Sequence, residues 1–182
     1  NDAPPLQVLF TTDVRRTLRL VKSGRSTIEV AFDEGALHAG KASSPLCELE
    51  FELKSGNLDD LIALAARWVQ RHALWLDVRS KAERGDQLAR GLAVGPVVRT
   101  GPQALRFRAG VRVDAALRDM VADCLQHLLP NLAEVARDCD ADGDAGHLHQ
   151  ARVALRRLRT ALALFGPQAD GLPAHWQEQL KQ

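Results

Sequence analysis

The chain has 182 residues, room for one substantial domain or for one domain and part of another. Twenty-four Lys and Arg against 23 Asp and Glu leave a formal net charge of +1, which excludes an overall polyelectrolyte. The three cysteines, Cys47, Cys124 and Cys139, form no CxxC pair, and no apolar run is long enough to span a bilayer. A disulfide framework and a zinc site are therefore disfavoured, and a cytoplasmic protein with no membrane partner is expected.

Taken in order, residues 1–5 form a frayed start, and Leu6–Thr12 and Val14–Val21 are predicted strands, the second carrying Arg15, Arg16 and Arg19. Lys22–Ser26 (KSGRS) has hairpin-turn chemistry. The next strand, Thr27–Asp33, places Glu29 and Asp33 on one face and Ile28, Val30 and Phe32 on the other. Glu34-Gly35 is predicted as a second turn into Ala36–Gly40, and Lys41–Pro45 as a loop. In Cys47–Lys54 (CELEFELK) the alternation is strict: Glu48, Glu50 and Glu52 face one way, Leu49, Phe51 and Leu53 the other. Three carboxylates spaced ~7 Å apart repel one another unless cations sit opposite. One such strand is an ordinary solvated face. Two suggest an antiparallel meander whose polar face encloses an interior and whose apolar face packs against helices. Hard carboxylate oxygens in such an interior suit a divalent cation.

Asn57 is the predicted N-cap of a helix over Leu58–Trp75, whose Leu61, Leu64, Ala65, Trp68, Val69 and His72 share a stripe, His72 being an interface residue with no ligand partners nearby. Ser80 caps a second helix over Ser80–Leu92 that starts with Lys81 and Arg84. The Gly/Pro-punctuated stretch after it marks a domain boundary: residues 1–92, a linker at 93–104, and residues 105–182. Beyond it the pattern is helical. A long amphipathic segment, Gly110–Ala136, is interrupted near Pro130. Asp138–Gly146 opens like a calcium loop, D-x-D-x-D-G, but its twelfth position is His149 where a bidentate Glu is needed, so it reads as a solvated loop. Pro173–Gln182 begins one more helix; with no Met at Asn1 and a helical pattern broken off at Gln182, the chain reads as a piece of something longer.

His147–Phe165 (HLHQARVALRRLRTALALF) contains no acid. On a helical wheel His149, Arg152, Arg156 and Arg159 fall in a narrow arc, Arg157 sits at its edge, and Ala151, Leu155, Leu158, Leu162 and Phe165 take the opposite side. No i,i+4 ion pair is available within the helix, so either acids of other helices or a polyanion meets these arginines. Charge alone leaves the two level. Arginine's forked donors suit phosphate oxygens. The absence of Tyr and the scarcity of aromatics among the basic residues argue against nucleic acid.

CELEFELKSG, with TIEVAFDEGALHAG and FTTDVRRTLRL before it, resembles the later strands of CYTH domains, the triphosphate tunnel metalloenzymes. The run HxxRVxxRRLRxxLxLF at His149–Phe165 is similar to the opening of CHAD domains, and the order of the two resembles a bacterial two-domain inorganic triphosphatase. The resemblance implies an α+β chain: an antiparallel sheet that is part of a tunnel barrel with covering helices, then a helical segment. It implies a cytoplasmic hydrolase of inorganic triphosphate that uses Mg or Mn, joined to a polyphosphate-binding module. By matched position, Glu29, Glu48 and Glu50 would hold metal, with Asp33 sharing their face, and Glu48, Glu50, Arg16 and Lys81 would be catalytic. Arg16, Lys81 and, as runner-up, Arg84 would grip triphosphate, and His149, Arg152, Arg156, Arg157 and Arg159 polyphosphate. Arg16 shares its strand face with Leu18 and Leu20, so alternation alone favours Arg15 and Arg19 unless a bulge intervenes.

The chain departs from the resemblance in lacking an ExExK strand, so these residues alone are a poor candidate for catalysis, and open sheet edges could self-associate. Two alternatives stand beside the leading reading: a non-catalytic polyphosphate-binding protein, and a CYTH-type enzyme acting on an organic triphosphate such as thiamine triphosphate or ATP.

Overall fold

The computed structural model describes residues 7–93, 95–99, 105–137 and 145–169. The order is β1 (Thr11–Ser23), β2 (Ser26–Ala39), β3 (Ala42–Ser55), α1 (Leu58–His72), α2 (Lys81–Ala89), α3 (Val113–Arg137) and α4 (Ala145–Phe165), followed by a short 3-10 turn at Gly166–Gln168. This is an α+β chain with, among the described residues, one antiparallel three-stranded sheet in the order β1-β2-β3. It divides into two compact units: residues up to Gly95 without Leu76–Val78, and Leu76–Val78 with the residues from Pro96 onward. No helix among the described residues is long and apolar enough to cross a membrane.

The strands are longer and fewer than the turn signals predict. β1 runs unbroken where two strands were expected, and Glu34-Gly35 lies within β2, paired with Arg15 and Val14. Gly35 answers to packing here: a Cβ at this position would overlap the backbone of Asp13 and Val14. Lys41–Pro45 is mostly strand as well, with Pro45 paired to Ala36. Pro is tolerated because β3 is an edge strand. The β2–β3 turn therefore falls at Gly40-Lys41, and that sets the register: Asp33 lies opposite Glu48, Ala31 opposite Glu50, and Glu29 opposite Glu52.

The apolar face of the sheet is covered by α1. Ile28, Val30 and Leu64 are buried there, with Val21, Leu49, Phe51, Leu53, Leu61 and Trp68 packed around them. Trp68 meets the edge of Phe51 at a ring separation of 5.9 Å. Asn57 caps α1 as predicted, accepting from the Asp60 N–H at 2.9 Å. His72 differs from expectation: it lies exposed at the end of the helix, tilted against Trp68, because the stripe turns outward over the last turn. The opposite, acid-bearing face is covered by α2. Ser80 and Glu83 form a capping box that starts α2 at Lys81.

In the second unit α3 packs along α4. Leu117, Cys124, Leu158, Ala161 and Leu162 form one cluster, and Leu128, Ala151 and Ala154 a second. α3 continues through Pro130 instead of breaking there. Proline removes one backbone bond, but the buried Asn131 side chain donates to the His127 carbonyl at 2.7 Å and to the Val98 carbonyl at 3.0 Å, holding the turn. On α4 the buried side is Ala151, Ala154, Leu158, Ala161 and Leu162, whereas Leu155 and Phe165 are exposed, contrary to the wheel. The contact line follows the alanines, which admit close approach of α3. The calcium-like loop at 138–144 and the helix expected at 173–182 lie outside the described residues.

Candidate functional site

Alternation and register put Arg16 of β1, Asp33 of β2 and Glu48 and Glu50 of β3 on the face beneath α2. Arg16 is the arginine of β1 that faces these acids, without any bulge between β1 and β2; Leu18 and Leu20 share its face and are 47% and 68% exposed. The alternation objection fails because that end of the face is uncovered. The Arg16 fork grips Asp33 through Nε at 2.7 Å and Nη2 at 2.6 Å, and Nη2 also donates to Glu50 at 2.7 Å. Lys81, the first residue of α2, contacts Asp33 at 2.9 Å, Glu50 at 2.7 Å, and Glu48. One turn on, Arg84 pairs with the other Glu48 oxygen. Its Nε–H is buried and meets no acceptor among the described residues.

Three carboxylates thus face three cations. The Asp33 side chain is wholly buried; the Arg16 fork, and then Lys81, hold its pKa down to about 2 against the opposing effect of burial. The hydrogen bond from Lys81 lowers Glu50 below the usual carboxylate range. Burial works against the charge on Lys81, but hydrogen bonds to Glu48, Glu50 and Asp33 outweigh it and raise its pKa. Oxygens of Asp33, Glu48 and Glu50 lie within 4.8 Å of one another, an all-oxygen donor set of the kind that a hard divalent cation takes. The members differ from the predicted trio. Glu29 stands apart, opposite Glu52, and both pair with Lys54 at 3.2 and 3.0 Å. Asp33 takes its place. Period-two alternation marks both acids of β2; only the register chooses between them.

In the helical unit His149, Arg152, Arg156 and Arg159 are exposed on α4, and none pairs with an acid among the described residues. Arg157 does, donating to Asp123 of α3 at 2.6 Å. Beneath them lies a buried polar group that the sequence patterns did not single out: His127 meets Gln150 at 2.9 Å, and His147 meets Asn131 at 2.9 Å. Their helical spacing marks them as inward-facing, yet nothing local reveals that they meet one another.

Residues 119–182 match the model of the CHAD domain family. Where described, the matched region is helical and carries the arginine stripe. An inorganic triphosphatase of Haemophilus influenzae is 45% identical over 80 residues, which is 44% of this chain. The chain spans 23% of the length of that relative.

Proposed function

We propose that the chain contributes to a cytoplasmic, metal-dependent hydrolase of inorganic triphosphate, its sheet unit belonging to a CYTH-type barrel and its helical unit binding polyphosphate. The domain limits are those of residues 1–92 and 105–182. Because the chain spans 23% of the triphosphatase it resembles, hydrolysis is assigned to the intact protein and not to these residues alone.

The observation that carries the reading is the acid cluster of Asp33, Glu48 and Glu50 set against Arg16, Lys81 and Arg84 on one covered face. Asp33, Glu48 and Glu50 would hold Mg or Mn, whose chemistry when bound is to withdraw electrons from phosphate oxygens and supply an activated water. The chain's own work is binding and orientation. Anionic triphosphate offers new acceptors to the three cations, so Arg16, Lys81 and Arg84 turn from carboxylates to phosphate oxygens and release the acids as ligands. The unmatched Arg84 Nε–H already lacks an acceptor that a phosphate oxygen would supply.

In the intact protein, phosphate release from inorganic triphosphate with Mg2+ or Mn2+ should fall by about two orders of magnitude or more in Glu48→Ala and in Glu50→Ala, each removing a metal-holding group. Calorimetric titration of Mn2+ should show the matching loss of binding. Wild-type turnover in both variants would reject the metal role. ATP and thiamine triphosphate, assayed beside inorganic triphosphate, separate an organic substrate from the inorganic one. A non-catalytic polyphosphate binder is the second reading; it is favoured by the ion pairing of every carboxylate in the sheet's cluster while four basic residues of α4 meet no acid among the described residues.

A further inference from the structure

Among the five basic residues proposed for polyphosphate on α4, Arg157 is held differently from the rest. Its Nη2 donates to Asp123 Oδ2 at 2.6 Å, and its Nη1 lies 3.5 Å from His127 Nδ1. Asp123 and His127 are one turn apart on α3 and present two acceptors to one fork. His127 is 1% exposed, and its Nε2 sits 2.9 Å from Gln150 Oε1. An amide oxygen only accepts, so Nε2 carries the proton and Nδ1 turns its lone pair toward the guanidinium. Arg156, the chain neighbour, has no ion pair among the described residues. The two arginines and Thr160 line a cavity of about 390 Å³, walled on its apolar side by Met120, Leu164 and Phe165.

We infer that Asp123 is a positioning residue for anion binding: it fixes the Arg157 fork so that the remaining N–H groups face a phosphate chain held beside Arg156. Of five guanidinium donors the clamp occupies one on each terminal nitrogen, leaving three. This rests on the polyphosphate reading of α4 and adds a residue of α3 to it. Two effects of Asp123 oppose each other. Its charge repels phosphate, whereas its contact with Arg157 removes the rotamer freedom that binding would otherwise have to freeze. The repulsion is small because the carboxylate is already paired at 2.6 Å, so positioning prevails.

The two effects predict opposite signs. Inorganic polyphosphate of defined length, with inorganic phosphate as control, is titrated against wild type, Asp123→Ala, Asp123→Asn, Arg157→Ala and the Asp123→Ala/Arg157→Ala double variant. Asp123→Ala should weaken binding roughly fivefold to tenfold despite deleting a negative charge, the scale of immobilising one long side chain on binding. Asp123→Asn, which keeps an acceptor and the side-chain shape, should recover most of the loss. In the Arg157→Ala background Asp123→Ala should cost nothing further. Affinities are expressed per folded molecule from thermal melts, and Asp123→Leu, similar in shape but without an acceptor, serves as the folded variant if Asp123→Ala is unstable. Unchanged or tighter binding by folded Asp123→Ala or Asp123→Leu, or equal losses in both backgrounds, overturns the inference while leaving the polyphosphate reading intact. No binding by wild type overturns both.

Discussion

Asp33 is wholly buried yet ionised, because the Arg16 fork and the Lys81 ammonium together outweigh the cost of taking its charge out of water. Its folded pKa of about 2 lies below the ordinary carboxylate value, so its contribution to stability is fully present above pH ~4 and is lost as pH falls toward 2. Glu50 shifts in the same direction and adds to the same acid limb. Lys81 shifts the other way; its contribution is complete below its ordinary pKa and would fade only in strong alkali. Asp33→Asn should therefore destabilise the neutral protein by about 1–3 kcal/mol and flatten the loss of stability between pH 4 and 2. Urea unfolding across that range reads both; a variant with the wild-type acid slope would remove Asp33 from the account. At this scale the sequence was partly legible. Glu48 and Glu50 followed from alternation, but the choice of Asp33 over Glu29 did not, because two residues of equal parity differ only in what stands across the ladder.

The α2 helix carries Lys81 and Arg84 onto the acid face, and how closely it lies there depends on Gly85. A Cβ at Gly85 would overlap the ring of Phe10. Helix propensity alone favours Gly85→Ala by about 1 kcal/mol, whereas overpacking opposes it by about 1–3 kcal/mol. Overpacking should win, so Gly85→Ala lowers the unfolding free energy in wild type and raises it when Phe10→Ala makes room. Chemical denaturation of the two single variants and the double variant decides this; an additive cycle would separate Gly85 from Phe10. The start of α2 was readable from Ser80 and Glu83 because a capping box is local. Which face the helix would cover was not. That face is chosen by charge attraction between residues 31 to 33 positions apart, Lys81 with Glu50 and Glu48.

Across the whole molecule, the formal charge of +1 conceals two opposite arrangements. In the sheet unit acids and bases meet side chain to side chain, while in the helical unit Arg152, Arg156 and Arg159 form a stripe that no described acid answers. If that stripe serves polyphosphate, binding should weaken steeply with salt. Arg152→Ala, Arg156→Ala or Arg159→Ala should each reduce the dependence of log affinity on log salt by about one, the count expected for one released counterion per contact. A salt dependence unaltered by all three would argue for a purely structural helix. The acid-free composition of α4 made this stripe visible in advance. The exception, Arg157 with Asp123, needed the packed helices, because the two lie 34 residues apart.

Periodicity and capping are properties of neighbouring residues, and for that reason the sequence by itself determined the α+β class, the starts of α1 and α2, the two-faced strands and the basic stripe of α4. Turn chemistry misled wherever a glycine or proline answered to packing, at Gly35 within β2, close against the backbone of β1, and at Pro45 on an edge strand. Only the tertiary structure decided which acid of β2 stands beside Glu48, which face α2 covers, and where each guanidinium finds its partner. Those depend on register and on charges that are distant along the chain and close only once it is folded.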